Sequence, residues 1–184
     1  KISPVCERYE DSLKEKFLSS GFISYIDEKY YELFIKRTRV DKEIFRDENI
    51  PLYTEDSILC QNYQKITGNW MVDFDGKKYT VQEMAPFLEK QDRDLRERSY
   101  KARVGVHLKD VVKLDDLYDN MLIVRGKIAH NAGFSNYRDY KFKEKGRFDY
   151  TPDDCMRFHD AIGETVVPLL SEWMKKRAVE LKIP

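Results

Sequence analysis

The sequence predicts a mainly α-helical protein, a helical array with one small β-hairpin at about residues 70–79. Apolar residues recur at three- and four-residue intervals along most of the 184 residues, which is the spacing of one helix face. Residues 70–74 (WMVDF) alternate instead, and Asp75-Gly76 after them is a two-residue turn signal. Hydrophobic residues make up 41% of the chain, which excludes a disordered protein.

Three helices are predicted before the hairpin. The first starts at Ser3-Pro4, where a hydroxyl cap precedes a proline, and ends at Gly21. The second covers about residues 22–47 as one continuous helix. Residues 49–51 (NIP) interrupt the pattern, because the residue before a proline resists the helical conformation. A third helix over about residues 52–66 follows this interruption.

Two helices should follow the hairpin. The hairpin itself needs a helix or another domain beneath it, because an isolated hairpin is marginal in water. Thr80 and Glu83 have the spacing of a capping box, which predicts a short helix to about Lys90. The next helix covers about residues 92–108. It carries three acid-to-base pairs four residues apart, Asp92/Arg96, Asp94/Arg98 and Glu97/Lys101. These pairs indicate a solvated face; the alternative is an arginine cluster that grips a peptide carboxylate.

A helix over about residues 113–132 has one apolar side. Its members are Leu114, Leu117, Tyr118, Met121, Leu122, Ile128 and Ala129. Arg125 falls on the same stripe, so it must reach solvent or pair with a carboxylate, because a buried unpaired charge is costly. We expect a structural ion pair rather than a functional contact. Gly133 is a natural left-handed cap, and a short helix over residues 136–142 follows.

The last helix has the clearest start in the chain, at residues 151–154 (TPDD), and should run to about Lys182. Pro168 lies inside it and predicts a kink, because proline removes one backbone donor. We expect one stripe of this helix to face inward. The stripe consists of Cys155, Phe158, Ile162, Val166, Leu169 and Trp173.

Charge and cysteine content narrow the function. Lys plus Arg and Asp plus Glu both number 33, so the net charge is zero, and we predict no nucleic-acid partner. An RNA-binding helical domain is therefore a minor alternative. No apolar run approaches the ~20 residues of a membrane span, so no membrane partner is predicted. Cys6, Cys60 and Cys155 form no CxxC pair, which favours reduced thiols in a cytoplasmic protein.

Motifs for catalysis are missing from the sequence. A zinc peptidase needs two histidines one helical turn apart with a glutamate between them, but His107, His130 and His159 are 23 and 29 residues apart. Cys155 and His159 lie four residues apart without a visible third group to orient them. We therefore predict no catalytic, cofactor-binding or metal-binding residue. The residues alone indicate a helical interaction or support domain.

Four segments resemble oligoendopeptidase-F-like zinc metallopeptidases and occur in that family's order. They are residues 48–84 (ENIPLYTEDSILCQNYQKITGNWMVDFDGKKYTVQEM), 92–102 (DRDLRERSYKA), 117–142 (LYDNMLIVRGKIAHNAGFSNYRDYKF) and 149–169 (DYTPDDCMRFHDAIGETVVPL). The resemblance implies a mostly α-helical peptidase with a deep channel between two lobes, which digests short oligopeptides in the cytosol. In the family, the zinc ligands and the general base come from a helix and a glutamate downstream of the matched region.

The resemblance implies that residues 1–184 are a single helical lobe, a fragment of a larger peptidase, and that more chain precedes Lys1. The full-length enzyme would use zinc with ligands outside this chain. Its partners would be its own C-terminal catalytic domain and short peptide substrates. The lobe would wall the channel and be inactive by itself, with exposed apolar patches where its cover is missing. Tyr118, Tyr137 and Tyr140 are possible groove rings, although ordinary packing is favoured for each.

The alternative function is a free-standing helical protein-interaction module without enzymatic activity. A natural stop codon just after Pro184 would favour that alternative.

Overall fold

The computed structural model describes residues 3–183, apart from the side chains of Ser3 and Glu28. These residues form eight α-helices and one antiparallel hairpin, which confirms the predicted fold class. The elements are α1 Ser3–Leu18, a 3-10 helix Gly21–Tyr25, α2 Glu28–Ile44, α3 Asn49–Gly68, β1 Met71–Phe74, β2 Lys77–Thr80, α4 Ala85–Leu88, α5 Arg93–Leu108, α6 Val111–Asn131, α7 Tyr137–Glu144 and α8 Pro152–Leu181. None of the helices within residues 3–183 has the length and apolar character needed to cross a membrane.

The described residues divide into two compact units. Unit 1 contains residues 3–10 and Arg46–Gly133, and unit 2 contains Asp11–Phe45 and residues 134–183. Helix α1 therefore contributes its first turns to unit 1 and the rest to unit 2. The prediction that the chain forms one lobe of a larger protein stays a prediction.

The hairpin of unit 1 has the predicted turn. Met71 pairs with Thr80 and Phe74 with Lys77, and the two turn residues Asp75 and Gly76 have φ values of +48° and +77°. Positive φ at both central residues is the backbone of the tight turn that suits twisted strands, and glycine adopts it without steric cost. Val72 and Phe74 are two residues apart on β1, so their side chains point to the same face of the hairpin.

A helix does lie beneath the hairpin, as the sequence required. Val72 and Met84 are 1% and 0% exposed and form a buried cluster with Phe74 and Val81. Leu95, Ala102 and Val106 of α5 pack against this cluster. The apolar side of the hairpin is thus covered, which gives the two short strands the support that they lack alone.

Helices α3 and α6 pack together in unit 1 around a buried asparagine. Asn49, at the first position of α3, is 0% exposed. Its side-chain amide donates to the Ile128 carbonyl at 3.0 Å, and its oxygen accepts from Asn131 Nδ2 at 2.8 Å. The start of α3 is therefore tied to the last turns of α6, with the buried amide satisfied on both sides.

Two predicted helix boundaries were wrong. The helix predicted over residues 22–47 is split, because Asp27 caps a new helix by accepting from the backbone N–H groups of Lys29 and Tyr30, both at 3.1 Å. Helix α3 begins at Asn49 rather than near residue 52, so Pro51 lies in its first turn. Proline is tolerated there because the first N–H groups of a helix have no intrahelical partner.

Three other helix starts agree with the sequence. Asp92, Asn136 and Thr151 each accept a hydrogen bond from a backbone N–H in the first turn of α5, α7 and α8. The helix predicted from Thr80 to about Lys90 was too long: the Thr80/Glu83 box forms in both directions, at 2.7 and 3.2 Å, but it closes a turn, and α4 covers only Ala85–Leu88. Helix α8 continues through Pro168, and the predicted kink there stays a prediction.

Ion pairs hold α1 against α2 within unit 2. Lys42 Nζ lies 2.8 Å from Asp11 and 3.1 Å from Glu15, and Lys14 lies 2.9 Å from Asp41. The hydrogen bond to Asp11 raises the pKa of Lys42. Helix α2 also packs on α7, where Tyr140 is 1% exposed.

Candidate functional site

Helix α8 carries an uncovered apolar surface. Six large side chains there are between 43% and 64% exposed. They are Val166, Val167, Leu169, Leu170, Trp173 and Met174, and we call them the α8 face. At about 100° of rotation per residue they fill one arc of roughly 160°. A contiguous apolar surface of this kind marks a contact site rather than a scattered set of surface residues.

The α8 face corrects the predicted burial of this helix. Among the residues expected to point inward, Phe158 and Trp173 are 64% and 59% exposed, and Val166 and Leu169 are 43% and 49% exposed. Cys155 and Ile162 are half-buried. The spacing identified the apolar side correctly, but periodicity does not show whether anything packs on that side. The expected exposed apolar patches are present.

Only part of the predicted acid-to-base pairing forms on α5, and an arginine cluster that grips a peptide carboxylate stays a prediction. Of the three predicted pairs, Glu97 with Lys101 forms an ion pair at 2.6 Å. Arg96 instead donates to the carbonyls of Lys90 and Gln91 at 2.6 and 2.8 Å. Arg98 reaches the hairpin turn and pairs with Asp75 at 2.8 Å. The side chains of Arg96 and Arg98 thus stabilise local structure in unit 1.

Arg125 has the carboxylate partner that its position on the apolar stripe predicted. Its Nε lies 2.8 Å from Asp56 Oδ1 on α3, and the two side chains are 24% and 23% exposed. A further contact at 3.6 Å joins its guanidinium to Cys60 Sγ. The ion pair links α3 to α6, so the structural interpretation of Arg125 is confirmed.

The possible groove rings have different environments. Tyr140 is buried and packs against the rings of Phe134 and Tyr137 at 5.7 and 5.9 Å. Tyr118 is 56% exposed on α6. Packing therefore explains Tyr140, whereas Tyr118 lies at the surface of unit 1.

No contact between any two of the three histidines is seen among the described residues. His107 stacks on Trp70 with ring centroids 4.4 Å apart, and Trp70 Nε1 donates to Asp110 at 3.0 Å. His130 and His159 are exposed. Across the residues that the structure describes, no group of three or more His, Cys, Asp or Glu side chains is placed to hold a metal ion.

An open groove of about 390 Å³, which was not predicted, lies in unit 2 between α7 and the start of α8. We call it the α7–α8 groove. Its walls are Arg138, Asp139, Phe142, Lys143, Arg147, Tyr150, Thr151, Pro152 and Asp153. The guanidinium of Arg147 lies 4.6 Å from the ring centroid of Phe142 and 5.7 Å from that of Tyr150. The sequence signal is limited to Gly146, which follows the C-cap Lys145 of α7 and precedes Arg147.

Solved structures share this fold. The chain superposes on a protein from Bacillus anthracis str. Ames assigned as oligoendopeptidase F with a TM-score of 0.91 and 22% identity, covering 99% of this chain and 34% of that one. A second structure assigned as oligoendopeptidase F gives 0.90 at 22% identity, covering 98% and 32%. PZ peptidase A with an inhibitor gives 0.89 at 22% identity, covering 96% and 32%.

These likenesses confirm the resemblance at the level of the fold. The chain spans about a third of the length of the structures that it matches. No family model matches the sequence, and no curated protein matches it either.

Proposed function

We propose that this chain is a non-catalytic helical lobe of a zinc-dependent oligoendopeptidase that hydrolyses short peptides, and that it lines or encloses the substrate channel. The observation that carries the proposal is the superposition of 99% of the chain on one third of a structure assigned as oligoendopeptidase F. The resemblance of four sequence segments to that family supports the same assignment.

The missing metal ligands support the non-catalytic role. A peptidase zinc ion takes three protein ligands and keeps one position for water or substrate. The sequence contains no H-E-x-x-H, and its three histidines lie 23 and 29 residues apart. In this proposal the zinc ligands and the general base belong to the C-terminal catalytic domain of the full-length enzyme, which works in the cytoplasm.

The α8 face supports a structural partner within the same protein. Six large apolar side chains at 43–64% exposure are costly to leave in water, at about 25 cal/mol for each Å² of apolar surface. In the proposal the C-terminal domain covers them. A free-standing interaction module would use the same face for another protein, so α8 alone does not separate the two functions.

Activity of the full-length protein tests the proposal. We expect it to cleave quenched fluorescent peptides, to lose that activity in a chelator, and to regain it with zinc. We also expect folded proteins to resist cleavage, because a channel enclosed by helices admits only short peptides. A full-length protein that binds no metal and cleaves no peptide under these conditions would favour the interaction module.

A further inference from the structure

We propose that the α7–α8 groove binds a peptide through a single carboxylate, which Arg147 holds. The groove residues, Arg138 to Asp153, do not include any residue of the α8 face. The groove's fit to one carboxylate follows from its own residues; the choice of a peptide as the molecule that bears the carboxylate rests on the proposed function.

The end of α7 fixes Arg147 in place. The N–H of Arg147 donates to the carbonyl of Phe142 at 3.3 Å, and the N–H of Gly146 donates to the carbonyl of Lys143 at 2.9 Å. These two bonds are the Schellman pattern of a helix C-terminus, which requires a left-handed residue, and Gly146 has φ +61°. The motif places the side chain of Arg147, which follows the glycine, beside the ring of Phe142 in the last turn of α7.

The rings of Phe142 and Tyr150 then position the guanidinium. They lie edge to face, 5.7 Å apart, and Arg147 approaches both of them. Stacking on aromatic rings restricts an arginine without using its N–H donors. The planar fork of Arg147 thus remains available for a carboxylate, which accepts two parallel hydrogen bonds from a guanidinium.

Arg147 is also the cation of the groove whose charge is not balanced by an ion pair. Arg138 pairs with Asp139 at 2.8 Å, and Lys143 pairs with Glu43 at 2.6 Å. Within residues 3–183, Arg147 has no carboxylate within ion-pair distance. An incoming anion would therefore meet one free guanidinium rather than a set of three.

The remaining walls indicate which anion fits. Asp153 also lines the groove, and the charge of Asp139 is balanced by Arg138, so a ligand with several negative charges would meet one unpaired cation and the repulsion of Asp153. Phe142, Tyr150 and Pro152 form apolar walls that a bare ion would not use. A peptide with one carboxylate and apolar neighbours satisfies both conditions. Its carboxylate comes either from the C-terminus or from an acidic side chain.

Binding of labelled peptides to the full-length protein, measured by fluorescence anisotropy with a chelator present to stop cleavage, tests the proposal. The probes are Ala-Ala-Phe-Ala as the free acid, its C-terminal amide, and the amide of Ala-Glu-Phe-Ala. We expect the free acid or the acidic amide to bind at least tenfold more tightly than the neutral amide. Preference for the free acid identifies the C-terminus as the source, and preference for the acidic amide identifies the side chain.

Variants locate the site. Arg147→Met should weaken the preferred peptide at least tenfold, and Arg147→Lys should weaken it less, because lysine keeps the charge but lacks the fork. Arg98→Met is the matched control: Arg98 also lies over a phenylalanine ring, at 5.3 Å from that of Phe74, but it pairs with Asp75 outside the groove. Circular dichroism should show unchanged helix content in all three variants.

Three results would overturn the inference: equal binding of the neutral amide, equal effects of Arg147→Met and Arg98→Met, or displacement of the peptide by inorganic phosphate at the peptide's own concentration. The outcome is separable from the proposed function. Peptide cleavage without carboxylate-dependent binding at Arg147 would overturn the groove alone, and such binding without any cleavage would overturn the peptidase proposal alone.

Discussion

Arg125 on α6 and Asp56 on α3 form an ion pair at 2.8 Å, with both side chains about three-quarters buried. The pair joins α3 to α6, which the buried amide of Asn49 also links. A charged hydrogen bond in such surroundings contributes more than one at the surface, because the partner left behind has lost its hydration.

We therefore expect Asp56→Asn to lower the free energy of unfolding by about 1.5–3 kcal/mol. The matched control is Asp75→Asn, which weakens the exposed pair with Arg98 and should cost below about 1 kcal/mol. Urea denaturation followed by circular dichroism measures both. Equal losses in the two variants would show that burial does not strengthen the α3–α6 pair.

The sequence predicted this pair from one side only. An arginine on an apolar stripe must find a partner, so the need for a carboxylate was visible at Arg125, but the identity of Asp56 was not, because it lies 69 residues away. The same limit applies to Asn49, whose partner Ile128 is 79 residues distant. Local chemistry such as the Thr151 cap and the Asp75-Gly76 turn was predictable because both partners are close in sequence.

The hairpin turn gives a second prediction, about backbone conformation. Gly76 has φ +77°, where a side chain is strained, so Gly76→Ala should cost about 1–2 kcal/mol. Gly126→Ala is the matched control in the interior of α6, where a Cβ would meet nothing within 4 Å. That change should stabilise the protein by about 0.5–1 kcal/mol. The midpoint of thermal unfolding should therefore fall for Gly76→Ala and rise for Gly126→Ala. A shift of the same sign in both variants would contradict the assigned turn.

The start of α8 should respond to acid. Hydrogen bonds from the side chain and backbone of Thr151 lower the pKa of Asp154 below its ordinary value of 3.8. A carboxyl group whose pKa is depressed in the folded state stabilises that state above its unfolded pKa, and the contribution is lost as the pH falls through the folded pKa. The protection of the amides in the first turn of α8, measured as the ratio of intrinsic to observed exchange rate at each pH, should therefore fall as the pH drops below 3.8.

The variant Asp154→Asn should remove this acid response of the first turn. Asp153→Asn makes the same change of charge one residue earlier, outside the capping box, and should leave the response in place. NMR measurement of the Asp154 carboxyl titration and of amide exchange checks both. An identical effect of the two variants would mean that charge near the helix start, rather than the box, sets the response.

The α8 face gives a prediction that compares two proteins. In the isolated 184-residue chain, the double variant Leu169→Gln with Trp173→Gln should reduce binding of an apolar dye and change the free energy of unfolding by less than about 0.5 kcal/mol, because both side chains are exposed. In the full-length protein the same double variant should be clearly destabilising, because the proposed C-terminal domain covers the face. Val112→Gln, at a site 72% exposed on α6, is the control. Equal stability of the full-length protein with and without the double variant would argue against that cover.

The exposure of the α8 face could not be predicted from the sequence. The spacing of Val166, Leu169 and Trp173 identified one apolar side of a long helix, and α8 does run from Pro152 to Leu181. Whether such a side is buried depends on what packs against it, which the pattern does not encode. The α7–α8 groove was missed for a related reason: cation–ring stacking at Arg147 depends on the helix end geometry at Gly146 rather than on a recognisable motif.

The most direct test of the central claim is a combined zinc and cleavage measurement on the isolated 184-residue chain, with its helix content verified by circular dichroism. We expect far less than one zinc ion per chain after dialysis against zinc, and no hydrolysis of quenched peptides. One tightly bound zinc per chain together with peptide cleavage would contradict the assignment of these residues as a lobe without a catalytic centre.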